Sequence, residues 1–204
     1  MILLAVETAS YAEASAALFA DGKVVSKLVW PMGRELSSSL VSDIGKMLAG
    51  KKPDLIAVDR GPGSFTGLRT GLAAAQGLAL GWGIELIGVP SFAFYPRQSE
   101  KGNELLLLNA RAGGGYYYEY REDGKLSAGY VSKEDIAVKF PACELYYGEC
   151  EEGLLPNAKF VRVKAATDAE SLGLLALEKY ERGEKLPAEA IYLHLRAVLP
   201  KNKI

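Results

Sequence analysis

Twice along this chain a short, almost wholly apolar run is followed by two segments joined through Asp-Gly, and that repetition restricts the fold more than any other feature. The first instance is 2–6, followed by 14–20 and 23–30 meeting at Asp21-Gly22; the second is 105–109, followed by 116–121 and 126–132 meeting at Asp123-Gly124. A short apolar run suits a strand buried on both faces of a sheet. Asp-Gly supplies the positive φ angles that tight hairpins require. Each half of the chain therefore predicts a central strand followed by a hairpin.

After the first hairpin the pattern turns helical over 35–48, where Leu36, Leu40, Ile44, Met47 and Leu48 fall on one stripe. A second buried strand is expected at 54–59. A glycine-rich turn at 61–67 then opens a long helix ending near Trp82, and a strand at 85–89 leads to a short helix capped by Ser91. The second half continues with short strands at 145–147 and 160–163 and a helix over 168–182. Pure β-α-β alternation contains no hairpins, so the expected class is mixed α/β, built as two related lobes. The polar stretch 97–103 marks their boundary, giving an amino-terminal lobe of 1–98 and a smaller carboxyl-terminal lobe of 99–204.

The helix over 68–82 carries one charge, Arg69, and one amide, Gln76. Gly67, Gly71 and Ala75 fall four residues apart, as do Gly77 and Gly81. Each glycine inside a helix costs roughly 1 kcal/mol against alanine, so close approach by another backbone must offset it. A helix apolar nearly all round is covered either by its own domain or by a partner. Periodicity leaves both readings open.

Chemistry is sparse. The single histidine, His194, lies near the carboxyl end, and Ser64 in Pro62-Gly63-Ser64-Phe65-Thr66 is not a nucleophile elbow. No catalytic residue and no metal site are expected. Glu7 and Asp59 each end a buried strand, and neighbouring parallel strands would bring them together as in a kinase-like phosphate cleft. Gly61, Gly63 and Gly67 stand between strand and helix, where phosphates are often cradled. Their spacing fits neither a P-loop nor a dinucleotide fingerprint, because Gly67 is followed by Leu68-Arg69 and Thr66 stands where a third glycine belongs. A structural turn with Ser64 or Thr66 as helix cap is favoured. With Arg111, which defaults to a surface arginine, Glu7, Asp59, Gly61, Gly63 and Ser64 make up the candidate ligand cleft.

Of the 204 residues, 49% are hydrophobic, enough for a sizeable core, while 24 basic against 25 acidic residues leave a formal charge of −1. No global positive field exists to condense a polyanion, which argues against unaided nucleic-acid binding. Cys143 and Cys150 form neither a zinc pattern nor a disulfide scaffold, pointing to a reducing compartment. Residues 1–7 lack a basic leader, and 68–82 is shorter than the roughly 20 residues a bilayer demands. A cytoplasmic protein without a membrane span is expected.

The segment Gly61-Pro62-Gly63-Ser64-Phe65-Thr66-Gly67-Leu68-Arg69-Thr70-Gly71 resembles the TsaB (YeaZ) family, the dimerisation subunits of the bacterial tRNA threonylcarbamoyladenosine machinery. The resemblance extends through Ala75-Gln76-Gly77-Leu78-Ala79-Leu80 and Ile87-Gly88-Val89, and back to Glu7-Thr8. Asn109-Ala110-Arg111 is similar to the family's Asp-Ala-Arg, and Ile191-Tyr192-Leu193 to its late Val-Tyr-Leu-Arg. Departures are Leu36 and Asn109, where relatives carry histidine and an acid, and His194 in place of the late arginine.

The resemblance implies a two-lobed actin/Hsp70-like (ASKHA, ribonuclease H-like) fold with mixed sheets. It further implies a non-catalytic, pseudo-enzyme subunit that binds TsaD, and with it TsaE, for threonylcarbamoylation of the adenosine beside the anticodon of tRNAs reading A-starting codons. The chain would form a homodimer when alone, meet tRNA only through the complex and need no cofactor, ATP and a metal being used by partner subunits. Leu36, Leu40, Ile44, Gly67, Gly71, Ala74, Ala75 and Leu78 are then the expected partner interface. Two other functions compete: a glycoprotease-like hydrolase, and a nucleotide-binding relative of sugar kinases using Glu7, Asp59 and the 61–67 loop.

Overall fold

The computed structural model describes residues 1–31, 36–110, 113–163 and 167–193; Arg111 and His194 lie outside them. The chain divides into two compact units, 1–94 with 166–191 and 95–165 with 192–204.

In the first unit, β1 (Ile2–Glu7) runs through the centre of a five-stranded sheet, with every residue from Leu3 to Glu7 buried. The hairpin of β2 (Glu13–Ala20) and β3 (Lys23–Pro31) lies on one side and β4 (Leu55–Asp59) and β5 (Glu85–Val89) on the other, in the order β3-β2-β1-β4-β5. Asp21 and Gly22 close the hairpin at φ of 49° and 76°, as the Asp-Gly pair predicts. β1 is antiparallel to β2 and parallel to β4. Alternation along the strands separates the two faces. Leu4, Val6, Ile56 and Val58 pack beneath α1 (Leu36–Leu48) and α2 (Phe65–Trp82). The opposite face takes α4 (Ala169–Glu181), whose Gly173 sits so close to Phe19 that an added Cβ would lie 2.2 Å from the ring.

The second unit repeats the plan. β6 (Glu104–Ala110) is central, β7 (Gly114–Tyr120) and β8 (Leu126–Ser132) form the hairpin, and β9 (Leu145–Gly148) and β10 (Lys159–Arg162) extend the other side, giving β8-β7-β6-β9-β10. Orientations match as well: β6 is antiparallel to β7 and parallel to β9. Both sheets thus have the ribonuclease H-like order in an α/β fold. The repeat is shorter because its helices have shrunk. α3 (Ile136–Lys139) is a single turn that the sequence pattern did not predict, and its Ile136 joins Leu105, Leu107, Tyr117, Phe140 and Tyr146 in the second core. In the run Tyr116 to Tyr118, only Tyr117 turns into that core, packing edge-on against Phe140 at 4.9 Å.

One feature of the expected division changes. The stretch 166–191, assigned by sequence to the second lobe, returns to the first unit, because α4 buries Ala169, Leu172 and Ala176 against that sheet. Residues 186–191 follow it, the Gly88 amide donating to the Leu186 carbonyl and the Ile191 amide to that of Arg60. No helix among the described residues is long and apolar enough to cross a membrane.

Candidate functional site

The glycine-rich loop is built to close against β1. Ser64 caps α2, its hydroxyl accepting from the Gly67 amide at 3.3 Å, while its own amide donates to the Ala9 carbonyl at 2.7 Å. Thr8 returns the contact, its hydroxyl donating to the Gly67 carbonyl at 2.8 Å. The approach leaves no room for side chains. A Cβ on Gly63 would stand 2.2 Å from the Ala9 oxygen, one on Gly67 2.0 Å from the Thr8 oxygen and one on Gly71 2.0 Å from the Thr8 hydroxyl. The loop is therefore a tight structural turn that lies against the end of β1 with Ser64 as the helix cap.

Glu7 and Asp59 do come together, as their positions at the ends of parallel strands predict, but under cover. They are 0% and 1% exposed, and of the other described residues of the candidate cleft Gly61 and Ser64 are buried and Gly63 is half-buried. Asp59 accepts from the Gly61 amide at 2.7 Å and from the Ser91 hydroxyl at 2.8 Å, and Glu7 accepts from the Ser10 amide at 2.8 Å. One Glu7 oxygen, Oε2, has no hydrogen-bond partner among the described residues. Burial lifts the Asp59 carboxyl to about 7, against the pull of the Gly61 and Ser91 donors. Burial, and then the charge of Asp59, holds Glu7 well above the ordinary range.

These shifts have a sign that can be tested. The folded chain keeps protons that the unfolded chain releases near pH 4, so this stabilisation is complete at lower pH and falls as pH rises toward 7. Between pH 5 and 7, wild type is expected to lose on the order of 1 kcal/mol per pH unit for each retained proton. Asp59→Asn, which keeps an acceptor for Gly61, should flatten that slope. Urea melts at half-unit pH steps check this, and parallel slopes for the two proteins would contradict it.

The remaining expected site residues turn inward. Leu36, Leu40, Ile44, Gly67, Gly71 and Ala75 are buried within their own unit, and Ala74 and Leu78 flank that core half-buried. Gly67 and Gly71 are spent on Thr8 and the leucine stripe of α1 on the sheet, while Ala74 and Leu78 keep part of their surface outside. The opposite face of α2 carries the second glycine pair of the sequence, which the expected interface left out. Thr66, Arg69, Ala73, Gly77, Leu80 and Gly81 form its outer stripe, with Leu80 86% exposed. Nothing lies within 4 Å of a Cβ built on Gly77 or Gly81. Beside it, the outer face of α1 mixes Val41, 48% exposed, and open Gly45 with the small polar Ser37, Ser38 and Ser42 and with Lys46. The discriminating signal was phase. Leu68 and Leu72 share a helix side with Gly67 and Gly71, whereas Gly77 lies opposite.

The chain is 34% identical over 140 residues to the tRNA threonylcarbamoyladenosine biosynthesis protein TsaB of Escherichia coli (strain K12), covering 60% of this chain and 56% of that protein. It is 30% identical to TsaB of Buchnera aphidicola subsp. Schizaphis graminum, over 61% of this chain and 63% of that one. The solved structure of YeaZ from Pseudomonas aeruginosa superposes with a TM-score of 0.68 at 26% identity, covering 94% of this chain and 99% of that chain. In both sequence and fold the chain is similar to the TsaB/YeaZ proteins.

The matched segments span less than two thirds of the two curated TsaB relatives. Residues 44–140 also match the family TsaD, tRNA N6-adenosine threonylcarbamoyltransferase. A threonylcarbamoyltransferase of Nitratidesulfovibrio vulgaris is 37% identical over 76 residues, 36% of this chain and 21% of that protein. The chain thus shares sequence both with TsaB proteins and with a threonylcarbamoyltransferase.

Proposed function

We propose that this chain is a non-catalytic subunit that docks, through the outer face of α2 and the adjoining face of α1, onto a TsaD-type threonylcarbamoyltransferase. The uncovered Gly77-Leu80-Gly81 stripe carries this reading. A mid-helix glycine costs roughly 1 kcal/mol relative to alanine. At Gly71 the contact with Thr8 accounts for it, but at Gly77 nothing within the unit does. A second helix laid against this stripe would come close enough to recover the loss, and it would cover Leu80 at the same time. A transferase related in sequence to this chain is a fitting occupant, since related folds present related helix faces.

TsaE would join through this pair, tRNA would be met only in the assembly, and the chain alone would pair with its own copy through the same face. The chain needs no cofactor of its own in this scheme. The buried state of Glu7 and Asp59 disfavours the sugar-kinase alternative, and Ser64, engaged as a helix cap, disfavours the hydrolase.

Two measurements test the proposal. Co-expressed with its cognate TsaD, the chain should elute with it as one species in size-exclusion chromatography, and omitting the chain should stop tRNA modification in a reconstituted assay. The pure chain should melt at the same temperature with and without millimolar ATP and magnesium; a rise of several degrees would restore the nucleotide-binding reading.

A further inference from the structure

The two sheets share one strand order, yet their corresponding ends differ. In open α/β sheets ligands settle at the carboxyl ends of the parallel strands, beside the strand where direction of connection reverses. In the first unit that place is occupied by the 61–67 loop. In the second unit nothing comparable follows β9, and a hollow of about 780 Å³ opens at the ends of β6, β9 and β10. That volume lies within the range of small-molecule sites.

Its walls combine an apolar floor with a cation, Arg162, that has no carboxylate partner among the described residues. Ile136 and Leu154 supply the floor, and Gly113 and Gly114 leave backbone exposed along one side. Gly148 forms the base at φ of 114°, where a Cβ would lie 2.4 Å from the Leu107 oxygen, so that wall cannot carry a side chain. Of the four charged residues among the described ones around the hollow, Lys133 and Glu151 pair with each other at 2.7 Å, and Glu149 accepts a hydrogen bond from the Tyr95 hydroxyl. Arg162 has no carboxylate partner among the described residues and only a distant ring neighbour, Phe160, at 5.7 Å. A guanidinium presents a planar fork suited to a carboxylate.

We propose that this hollow binds a small organic carboxylate with an apolar body, the carboxylate held by Arg162 and the body resting on Ile136 and Leu154. The same chemistry is offered by a free acid and by the carboxyl terminus of a peptide ending in an apolar residue.

The test is titration of the ¹⁵N-labelled full chain with phenylacetate, phenylacetamide, acetate and the tripeptide Ala-Ala-Phe, following the Gly113, Gly114, Gly115 and Gly148 amide resonances. Phenylacetate is expected to shift these signals saturably, with phenylacetamide and acetate at least about tenfold weaker because each lacks half of the recognition. Arg162→Gln, an exposed position, should weaken phenylacetate about tenfold without changing the melting temperature. Glu151→Gln, which frees Lys133, should tighten it a few-fold. Tighter binding of the tripeptide assigns the site to a chain terminus, and tighter binding of phenylacetate to a free acid. Equal shifts with acid and amide, no shift at about 10 mM, or an unchanged Arg162→Gln variant overturns the proposal.

Discussion

Gly71→Leu is expected to unfold the amino-terminal unit rather than to disturb a surface. The first added carbon would stand 2.0 Å from the Thr8 hydroxyl and 3.1 Å from the Thr8 Cβ, inside van der Waals contact with both. Thr8 cannot yield cheaply. It is fully buried, and its hydroxyl is committed to the Gly67 carbonyl at 2.8 Å. Rotating it away strands buried polar atoms at about 1–3 kcal/mol, and forcing α2 outward overpacks the core at a similar cost. The helix propensity gained on leaving glycine returns only about 1 kcal/mol. The net loss, several kcal/mol, rivals the whole stability of an ordinary domain, about 5–15 kcal/mol. Loss of soluble expression, or a fall of many degrees in melting temperature, is the expected reading. Gly77→Ala on the same helix should do the reverse, stabilising by about 0.5–1 kcal/mol because its Cβ meets open space. If both substitutions changed stability in the same direction, the orientation of α2 would be wrong.

That pair of glycines also shows where sequence reasoning reaches and where it stops. The strands and long helices were legible because their apolar periods and turn residues are local: Asp21-Gly22 closes its hairpin where the pattern places it, and Ser64 caps α2. The duplication was legible too, since an apolar strand followed by an Asp-Gly hairpin occurs twice. Which glycines serve the fold was not. Gly67, Gly71 and Gly77 look alike as spacing, and only the position of Thr8, 59 residues before Gly67 in the chain, distinguishes them. The same holds for Glu7 and Asp59. Their meeting at the ends of β1 and β4 follows from topology, but their burial depends on the 61–67 loop and Ser91 closing over them. The return of 166–191 to the first unit is likewise a long-range event, written in Ala169, Leu172 and Ala176, on a helix that packs on β1 and β2 more than a hundred residues earlier in the chain.

Leu80→Arg is expected to eliminate capture of the cognate transferase while leaving the isolated chain as stable as before. Leu80 is 86% exposed and makes little contribution to its own core, so the substitution should change stability by no more than about 0.5 kcal/mol. In a helix-on-helix interface the consequence is different. Arginine there must either bury its charge without a partner, at several kcal/mol, or hold the helices apart and lose the close packing that Gly77 and Gly81 make available. A loss of about 3 kcal/mol corresponds to more than a hundredfold in affinity, enough to remove co-elution at micromolar concentration. Gly77→Leu should have the same effect by bulk alone, which separates a steric cause from an electrostatic one. Leu80→Ala, which removes apolar area but adds neither bulk nor charge, should weaken binding by a smaller factor. Size-exclusion chromatography of co-expressed pairs reads all three, with melting temperatures as the control for folding. Retention of the complex by both Leu80→Arg and Gly77→Leu would mean that the partner lies on another surface.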